Sequence, residues 1–219
     1  MTNENAVFLE VFPVGPIQAN CILLGDADAG ELVVIDPGAE GARIAERVRA
    51  SGLNPTMILH THGHLDHAGG TTELVRELPP GLPVGLHPDE LQLYDNLATQ
   101  AQMFGLEVEA APEPDLWLEH GQELAVGGLR LEIRHTPGHS PGSVCFVVSG
   151  GKPPLVIVGD VLFAGSIGRT DLMGGSFPTL EQSIREQLYT LPDETIVVCG
   201  HGPDTTIGRE KTTNPFVSG

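Results

Sequence analysis

Short apolar runs, each followed by glycine, proline or a polar residue, recur along the whole chain. Some of these runs are rich in β-branched side chains and others alternate apolar with polar residues, and both patterns are typical of β-strands. We therefore predict strands at residues 7–12, 21–24, 32–35, 57–59, 83–86, 129–134, 144–148, 155–158 and 195–199.

Between these runs, four segments space their apolar residues three to four positions apart, as amphipathic helices do. Pro88, followed by Asp89 and Glu90, is typical of a helix start, because proline fits the first turn and acidic side chains favour the positive end of the helix. No linker or low-complexity tract divides the chain, so we predict one α/β domain over residues 1–219. The predicted helices cover residues 41–50, 70–78, 88–104 and 179–188.

The segment from His60 to His67 holds four histidines and one aspartate, directly after an apolar run. In extended chain, side chains two positions apart point to the same side, so His62 and His64 can share one metal ion. Asp66 and His67 are adjacent in sequence and are free to reach a second ion. A histidine-rich loop without metal is the alternative, but such a density of ligand types favours a site for two metals.

Three further candidates each end an apolar run and stand beside glycine: His139, Asp160 and His201. Taken singly, each of the three could instead be a hydrogen-bonded loop or turn residue or a helix cap. Together with the first segment they complete a set of five histidines and two aspartates. Such a set without thiolate suits zinc, which we expect, or iron or manganese. The remaining histidines have other predicted roles: His60 and His135 orient the ligand loops, and His87 and His120 are turn or surface residues.

These motifs, in this order, resemble those of the metallo-β-lactamase superfamily, and the chain is most similar to its short bacterial glyoxalase II type. The resemblance implies an αβ/βα sandwich of two mixed β-sheets with helices on the outer faces. The repeated H-T-x-G-H at His60–His64 and at 135–139 fits the two related halves of that fold. Besides the histidine segment, the resemblance includes Ile35-Asp36-Pro37-Gly38, Thr136-Pro137-Gly138-His139, Gly159-Asp160, Gly168-Arg169-Thr170-Asp171 and Gly200-His201-Gly202-Pro203.

The resemblance also implies how the ligands are divided. One ion is expected at His62, His64 and His139, the other at Asp66, His67 and His201, and Asp160 is expected to bridge them. Secreted β-lactamases of this superfamily usually have cysteine or serine at the bridging position, so the aspartate disfavours drug hydrolysis. Larger glyoxalase II enzymes add a helical domain that grips glutathione, and since little sequence follows His201, strict glutathione specificity stays open.

The expected function is hydrolysis of the thioester of S-2-hydroxyacyl thiols such as S-lactoylglutathione by a metal-bridging hydroxide. Asp66 is predicted to orient this hydroxide, besides binding metal. Arg169 is the candidate for contact with a substrate carboxylate, unless it pairs with Asp171 instead. A mononuclear iron persulfide dioxygenase that uses His62, His139 and Asp160 is the main alternative. A lactone hydrolase on the same metals and a structural zinc module are weaker ones.

The composition of the chain limits which binding partners and which cellular compartment we expect. With 29 acidic and 11 basic residues the formal net charge is −18, which repels nucleic acid. The sequence contains no run of about 18 apolar residues that would span a membrane. Residues 1–5 lack the features of a signal peptide, so we expect a cytoplasmic protein. The three cysteines stand in apolar runs, so we expect their thiols to be reduced and buried.

Overall fold

The computed structural model describes residues 6–219 and contains two six-stranded sheets. The predicted absence of a signal peptide concerns residues 1–5, which lie outside this part of the chain. The strands of the first sheet, in spatial order, are β1 (Val7–Val14), β2 (Ala19–Asp26), β3 (Glu31–Ile35), β4 (Asn54–Leu59), β5 (Val84–Leu86) and β6 (Leu116–Trp117). β1, β2 and β3 are antiparallel, and β3, β4, β5 and β6 continue the sheet in parallel.

The remaining strands are β7 (Glu123–Val126), β8 (Leu129–His135), β9 (Val144–Ser149), β10 (Leu155–Gly159), β11 (Leu162–Phe163), β12 (Ser166–Ile167), β13 (Ile196–Cys199) and β14 (Thr205–Thr206). Six of them form the second sheet, in the spatial order β14-β13-β10-β9-β8-β7. This sheet is antiparallel except for one parallel pair, β10 with β13. A separate two-stranded hairpin, β11 with β12, follows β10 along the chain.

Short helices connect and cover the strands. The α-helices are α1 (Gly41–Ser51), α2 (Leu65–Ala68), α3 (Thr71–Glu77), α4 (Leu91–Tyr94), α5 (Leu97–Met103), α6 (Phe177–Ser183) and α7 (Ile207–Thr213). A 3-10 turn at Pro88–Glu90 precedes α4, and a π-helical turn at Ile184–Leu188 continues α6.

Alternation within the strands explains the layers, because successive side chains of a strand point to opposite faces. In β2, Ile22 and Leu24 enter the core between the two sheets, whereas Cys21 and Leu23 pack with residues of α1 and α3. β10 behaves in the same way: Leu155 and Ile157 face the core between the sheets, and Val156 and Val158 pack with residues of α6 and α7. The order helix, sheet, sheet, helix confirms the predicted αβ/βα sandwich.

Every predicted strand is present, with ends that differ by up to a few residues. The single helix predicted at 88–104 is wrong, because the segment is divided into a 3-10 turn, α4 and α5. The break at Asn96 lets the Gln100 side chain point toward the histidine segment, where it accepts from Leu65 N and donates to Gly63 O. Elements that the pattern did not predict are β6, β7, the β11–β12 hairpin, β14, α2 and α7.

Cys21, Cys145 and Cys199 are free and buried, as their apolar surroundings predict. Burial raises the pKa of the Cys145 thiol to about 12, so it stays protonated. Within residues 6–219, no helix is long and apolar enough to cross a membrane.

Candidate metal centre

All seven predicted ligand residues lie together at one edge of the sandwich. His62 and His64 follow β4 of the first sheet, and Asp66 and His67 lie on α2 directly after them. Of the second sheet, β8, β10 and β13 are followed by His139, Asp160 and His201. The site is therefore assembled from strand ends of both sheets, which is where sequence analysis places each ligand.

The first cluster consists of His62, His64 and His139, all buried. His64 Nδ1 lies 2.9 Å from His139 Nε2. The ring of His62 stands nearly perpendicular to the other two, at centroid separations of 4.8 and 4.9 Å. One nitrogen of each ring can therefore reach a common point, as three imidazoles around one ion require.

The second cluster consists of Asp66, His67 and His201. Asp66 Oδ2 lies 3.1 Å from His201 Nε2 and 3.8 Å from His67 Nε2. His67 is fully buried, whereas His201 and Asp66 are partly exposed. This cluster is thus the more open of the two.

Asp160 faces both clusters. Its Oδ1 lies 3.3 Å from His67 Nε2, and its Oδ2 lies 3.6 Å from His201 Nε2 and 3.8 Å from His139 Nε2. The carboxylate is thus placed where a bridging ligand between two ions would stand, in agreement with the role that the family resemblance implies.

Unpartnered atoms at the centre fit bound metal. His62 Nε2, His67 Nε2 and Asp160 Oδ1 are buried without a hydrogen-bond partner among the described residues. Leaving buried polar atoms unpaired costs free energy, so such atoms at one point indicate an absent binding partner. Imidazole and carboxylate donors suit a divalent transition metal. The residues therefore fit the metal ions that their sequence pattern predicts.

In His62, His67 and His139, the ring nitrogen that points away from the centre is hydrogen-bonded to a residue outside the two clusters. His139 Nδ1 donates to Arg169 O at 2.8 Å, and His67 Nδ1 donates to Asp36 Oδ2 at 2.9 Å. Thr61 Oγ1 donates to Asp36 at 2.6 Å and lies 3.0 Å from His62 Nδ1, from which it can accept. Each ring is thereby fixed as the tautomer whose free nitrogen points to the centre.

Asp36 is a functional residue that sequence analysis missed as such, although its motif was recognised. It is fully buried and also accepts from Thr61 N at 2.7 Å. Its backbone has a φ of 55°, a left-handed conformation that aspartate and asparagine tolerate better than most residues. Its position directly after β3, beside Pro37 and Gly38, is the sequence signal that could have identified it.

The surroundings set the charge of each ligand. Burial lowers the pKa of His62 well below its usual range, and burial together with the neighbouring His139 lowers the pKa of His64 to about 4. Burial would raise the pKa of Asp66, but the nearby His67 and His201 outweigh it and hold the pKa far below normal. Burial would lower the pKa of His67 and of His201, but neighbouring carboxylates outweigh it and raise both pKa values, so these two rings favour the protonated form without metal. Metal binds neutral imidazoles and ionised carboxylates, so its binding to the second cluster would release protons.

Arg169 lies on the loop after β12 and is largely exposed. Its guanidinium donates twice to the Asp171 carboxylate, at 2.8 Å each, so the pairing considered as the alternative is present. Its main-chain oxygen orients His139, a role that no substitution of its side chain removes. Contact of the Arg169 side chain with a substrate stays a prediction.

The other histidines divide as follows. His60 is buried between Gly85 O and Thr71 Oγ1, at 3.0 and 2.9 Å. His120 is exposed, as expected, but His87 stacks on His135 with 4.2 Å between ring centroids and 8° between ring planes. His87, His135 and the exposed Asp89 bring one ligand atom each within 4.8 Å of the others. Stacked rings direct their nitrogen lone pairs along nearly parallel planes, so the rings would have to turn before they could share an ion.

A cleft of about 190 Å³ lies beside the second cluster and reaches Asp66. It is largely apolar, and it contains the acidic Glu107 but no basic residue. Of the ligands, only Asp66 lines it, so a molecule in the cleft would meet the centre at this carboxylate. The apolar side chains that line it include Val14, Ile17, Leu65, Leu106 and Val108.

A two-sheet sandwich with histidine and aspartate clusters at one edge defines a class of metal-dependent hydrolases. Residues 14–201 match the family model of the metallo-beta-lactamase superfamily. The chain belongs to this superfamily, and the predicted superfamily is confirmed.

Two curated relatives are similar over nearly their whole length. The "probable metallo-hydrolase YqgX" of Bacillus subtilis is 47% identical, covering 94% of this chain and 96% of its own. The "hydroxyacylglutathione hydrolase GloC" of Haemophilus influenzae is 42% identical, covering 96% of this chain and 98% of its own. Both names describe hydrolases: one a probable metallo-hydrolase, the other a hydrolase of hydroxyacylglutathione.

Solved structures show the same fold with different assignments. TTHA1623 in a di-iron-bound form is 40% identical with a TM-score of 0.85, covering 95% of this chain and 100% of that chain. BLEG-1, described as a B3 metallo-beta-lactamase, is 38% identical with a TM-score of 0.88, covering 97% and 100%. Together with the clusters, the di-iron-bound neighbour supports binding of divalent metal by this chain.

Proposed function

We propose that this chain is a two-metal hydrolase that cleaves the thioester of S-2-hydroxyacyl thiols such as S-lactoylglutathione. The observation that carries the proposal is the position of Asp160, whose carboxylate lies within 3.8 Å of His139 of the first cluster and of His67 and His201 of the second. The similarity to the hydroxyacylglutathione hydrolase supports the choice of a thioester. The net charge of −18 supports a small-molecule substrate over nucleic acid.

Each residue has a defined part in this proposal. His62, His64 and His139 would hold one ion and Asp66, His67 and His201 the other, with Asp160 shared. When bound, two such ions supply hydroxide near neutral pH and polarise the carbonyl oxygen of the substrate. Zinc is the expected metal, and iron or manganese suits the same donors.

Asp66 has a further part besides binding metal. Its carboxylate is ionised, lies 3.1 Å from His201 and borders the cleft. A water molecule at the centre can therefore donate a hydrogen bond to Asp66, which orients the oxygen toward a carbonyl carbon in the cleft. No serine or cysteine nucleophile is needed for this chemistry.

The persulfide dioxygenase is the second candidate, since His62, His139 and Asp160 form a set of two histidines and one carboxylate. That reading uses one ion and gives no part to Asp66 and His201, which are 3.1 Å apart. The complete second cluster favours the hydrolase. The two reactions differ in that only oxidation consumes oxygen.

The reaction class is tested by turnover without oxygen. We expect the zinc-loaded protein to cleave S-lactoylglutathione anaerobically and to release acid and free thiol in equal amounts. His64→Ala should abolish the reaction, because it removes a ring of the first cluster. Oxygen uptake with glutathione persulfide and no thioester cleavage would contradict the proposal, and faster cleavage of lactones than of thioesters would favour the lactone hydrolase.

The role of Arg169 is tested by a pair of variants. If Arg169 binds a substrate carboxylate, Arg169→Ala should raise KM more than it lowers kcat, because the contact is remote from the reacting bond. Asp171→Ala should then lower KM, since it releases the guanidinium from an exposed pair that stabilises little. If both variants leave KM unchanged, Arg169 has no part in substrate binding.

A further inference from the structure

Glu90 is a carboxylate with no exposed surface, at the end of the 3-10 turn that follows β5. Two of its partners are main-chain donors: Gly63 N donates to Oε2 and Gly142 N donates to Oε1, both at 2.6 Å. The Ser140 side chain is a third hydrogen-bond partner. Burying a charged group is costly unless it is well paired, and short bonds to both oxygens provide that pairing. A buried carboxylate bound in this way holds two segments together.

Both segments carry ligands of the first cluster. Gly63 lies between His62 and His64, after a strand of the first sheet. Gly142 belongs to the loop after β8 of the second sheet, which carries His139. The Glu90 side chain therefore connects two loops by hydrogen bonds. These are the loops that place His64 Nδ1 2.9 Å from His139 Nε2.

The chain around both glycines leaves little room for a side chain. A Cβ at Gly142 would lie 2.7 Å from His87 Nδ1 and 2.9 Å from Glu90 N. A Cβ at Gly63 would lie 3.0 Å from Tyr94 N and 3.1 Å from Glu90 O. The main chain of each ligand loop thus comes directly against the segment that bears Glu90.

The hydrogen bonds that hold the second cluster do not involve Glu90. His67 is held by Asp36, and the loop of His201 is held by Asn20, whose Nδ2 donates to Cys199 O at 2.9 Å and Gly202 O at 3.0 Å. Neither Asp36 nor Asn20 has a hydrogen bond with Glu90 among those described. A change at Glu90 should therefore act on one cluster and not on the other.

We propose that Glu90 is a positioning residue for the first cluster: by bridging Gly63 and Gly142 it sets the spacing of His64 and His139, and with it the affinity of one of the two metal positions. Glu90 itself touches no metal and no substrate. The inference rests on the metal sites of the proposed function, but not on the thioester reaction.

The test is zinc affinity in Glu90→Gln, measured by competition with a chromophoric chelator. Glutamine keeps the shape of the side chain but turns one acceptor into an NH2 group that faces a main-chain N–H. We expect one of the two zinc ions to bind about 10- to 100-fold more weakly, as for loss of other outer-shell partners, and the second to bind as in the unaltered protein.

Glu210→Gln is the matched control. Glu210 is as fully buried and accepts from Gly165 N at 2.9 Å and from Thr205 Oγ1 at 2.6 Å. Neither donor is adjacent to a predicted ligand, so both zinc affinities should be retained. If Glu90→Gln binds both ions like the unaltered protein, or weakens both equally, the positioning role is wrong.

A measurement on the unaltered protein decides the matter if Glu90→Gln does not fold. In the metal-free protein the amide hydrogens of Gly63 and Gly142 should exchange slowly, since Glu90 holds them without metal. Fast exchange of both, while the strands stay protected, would overturn the proposal. If the protein binds zinc but does not cleave thioesters, the proposed substrate is wrong and the role of Glu90 stands.

Discussion

Asp160→Ala is expected to lose both metal ions together. The carboxylate lies next to His139 of the first cluster and to His67 and His201 of the second, so its removal would take a donor from each position. Elemental analysis should fall from two metals per chain toward none. We expect kcat/KM to fall by more than the roughly 10- to 100-fold that loss of an outer-shell partner causes.

Asp193→Ala is the control for this substitution, because Asp193 is exposed and pairs with Lys211 away from the centre. It should retain both metals and full activity. Asp160→Asn should be intermediate, since the amide keeps one oxygen donor but not the charge. A firm stoichiometry of one iron in the unaltered protein, unchanged by added zinc or manganese, would contradict the two-metal interpretation and favour the dioxygenase.

Asp36→Asn is expected to have the next largest effect. Asp36 accepts from His67 Nδ1 and from Thr61, through which it also holds His62, so it supports one ring of each cluster. Asparagine tolerates the left-handed backbone, but its NH2 group cannot accept from these donors. We expect affinity for both ions to fall by about 10- to 100-fold, measured by zinc competition.

Asp26→Asn provides the comparison. Asp26 is also buried and accepts from main-chain N–H groups of Asp28, Ala29 and Gly128, far along the chain from the ligands. It should lower the thermal stability of the metal-free protein and leave zinc affinity unchanged. Equal zinc affinities in the two variants would show that Asp36 does not support the rings.

The strands could be predicted because their signal is local. The apolar run of β2 and the β-branched run of β10 are each buried on both faces of a sheet, and this demands apolar residues at successive positions. β6 and β14 have only two residues each, too few for a period to show. The helix predicted at 88–104 failed because contacts of Gln100 with the distant Gly63 and Leu65 decide where it breaks.

The grouping of the candidate ligands could be predicted because each stands at a strand end or in a dense motif. Their outer partners could not, since those contacts join segments that are remote in sequence. Asp36 meets Thr61 and His67 across 25 and 31 positions, and Glu90 meets Gly142 across 52. No periodicity or composition records such pairings. The main-chain contact of Arg169 with His139 is independent of side-chain identity altogether.

Under the proposed function, the division of the ligands between two sheets would link the lifetime of the protein to its metal supply. Ions held by His62 and His64 from one sheet and by His139, Asp160 and His201 from the other would join the two sheets at their edge. Free metal at about 100 times its Kd would add about 2.7 kcal/mol to the free energy of unfolding. In a metal-starved cell this edge would open more often and expose its loops to proteases, so turnover would remove chains that cannot be loaded.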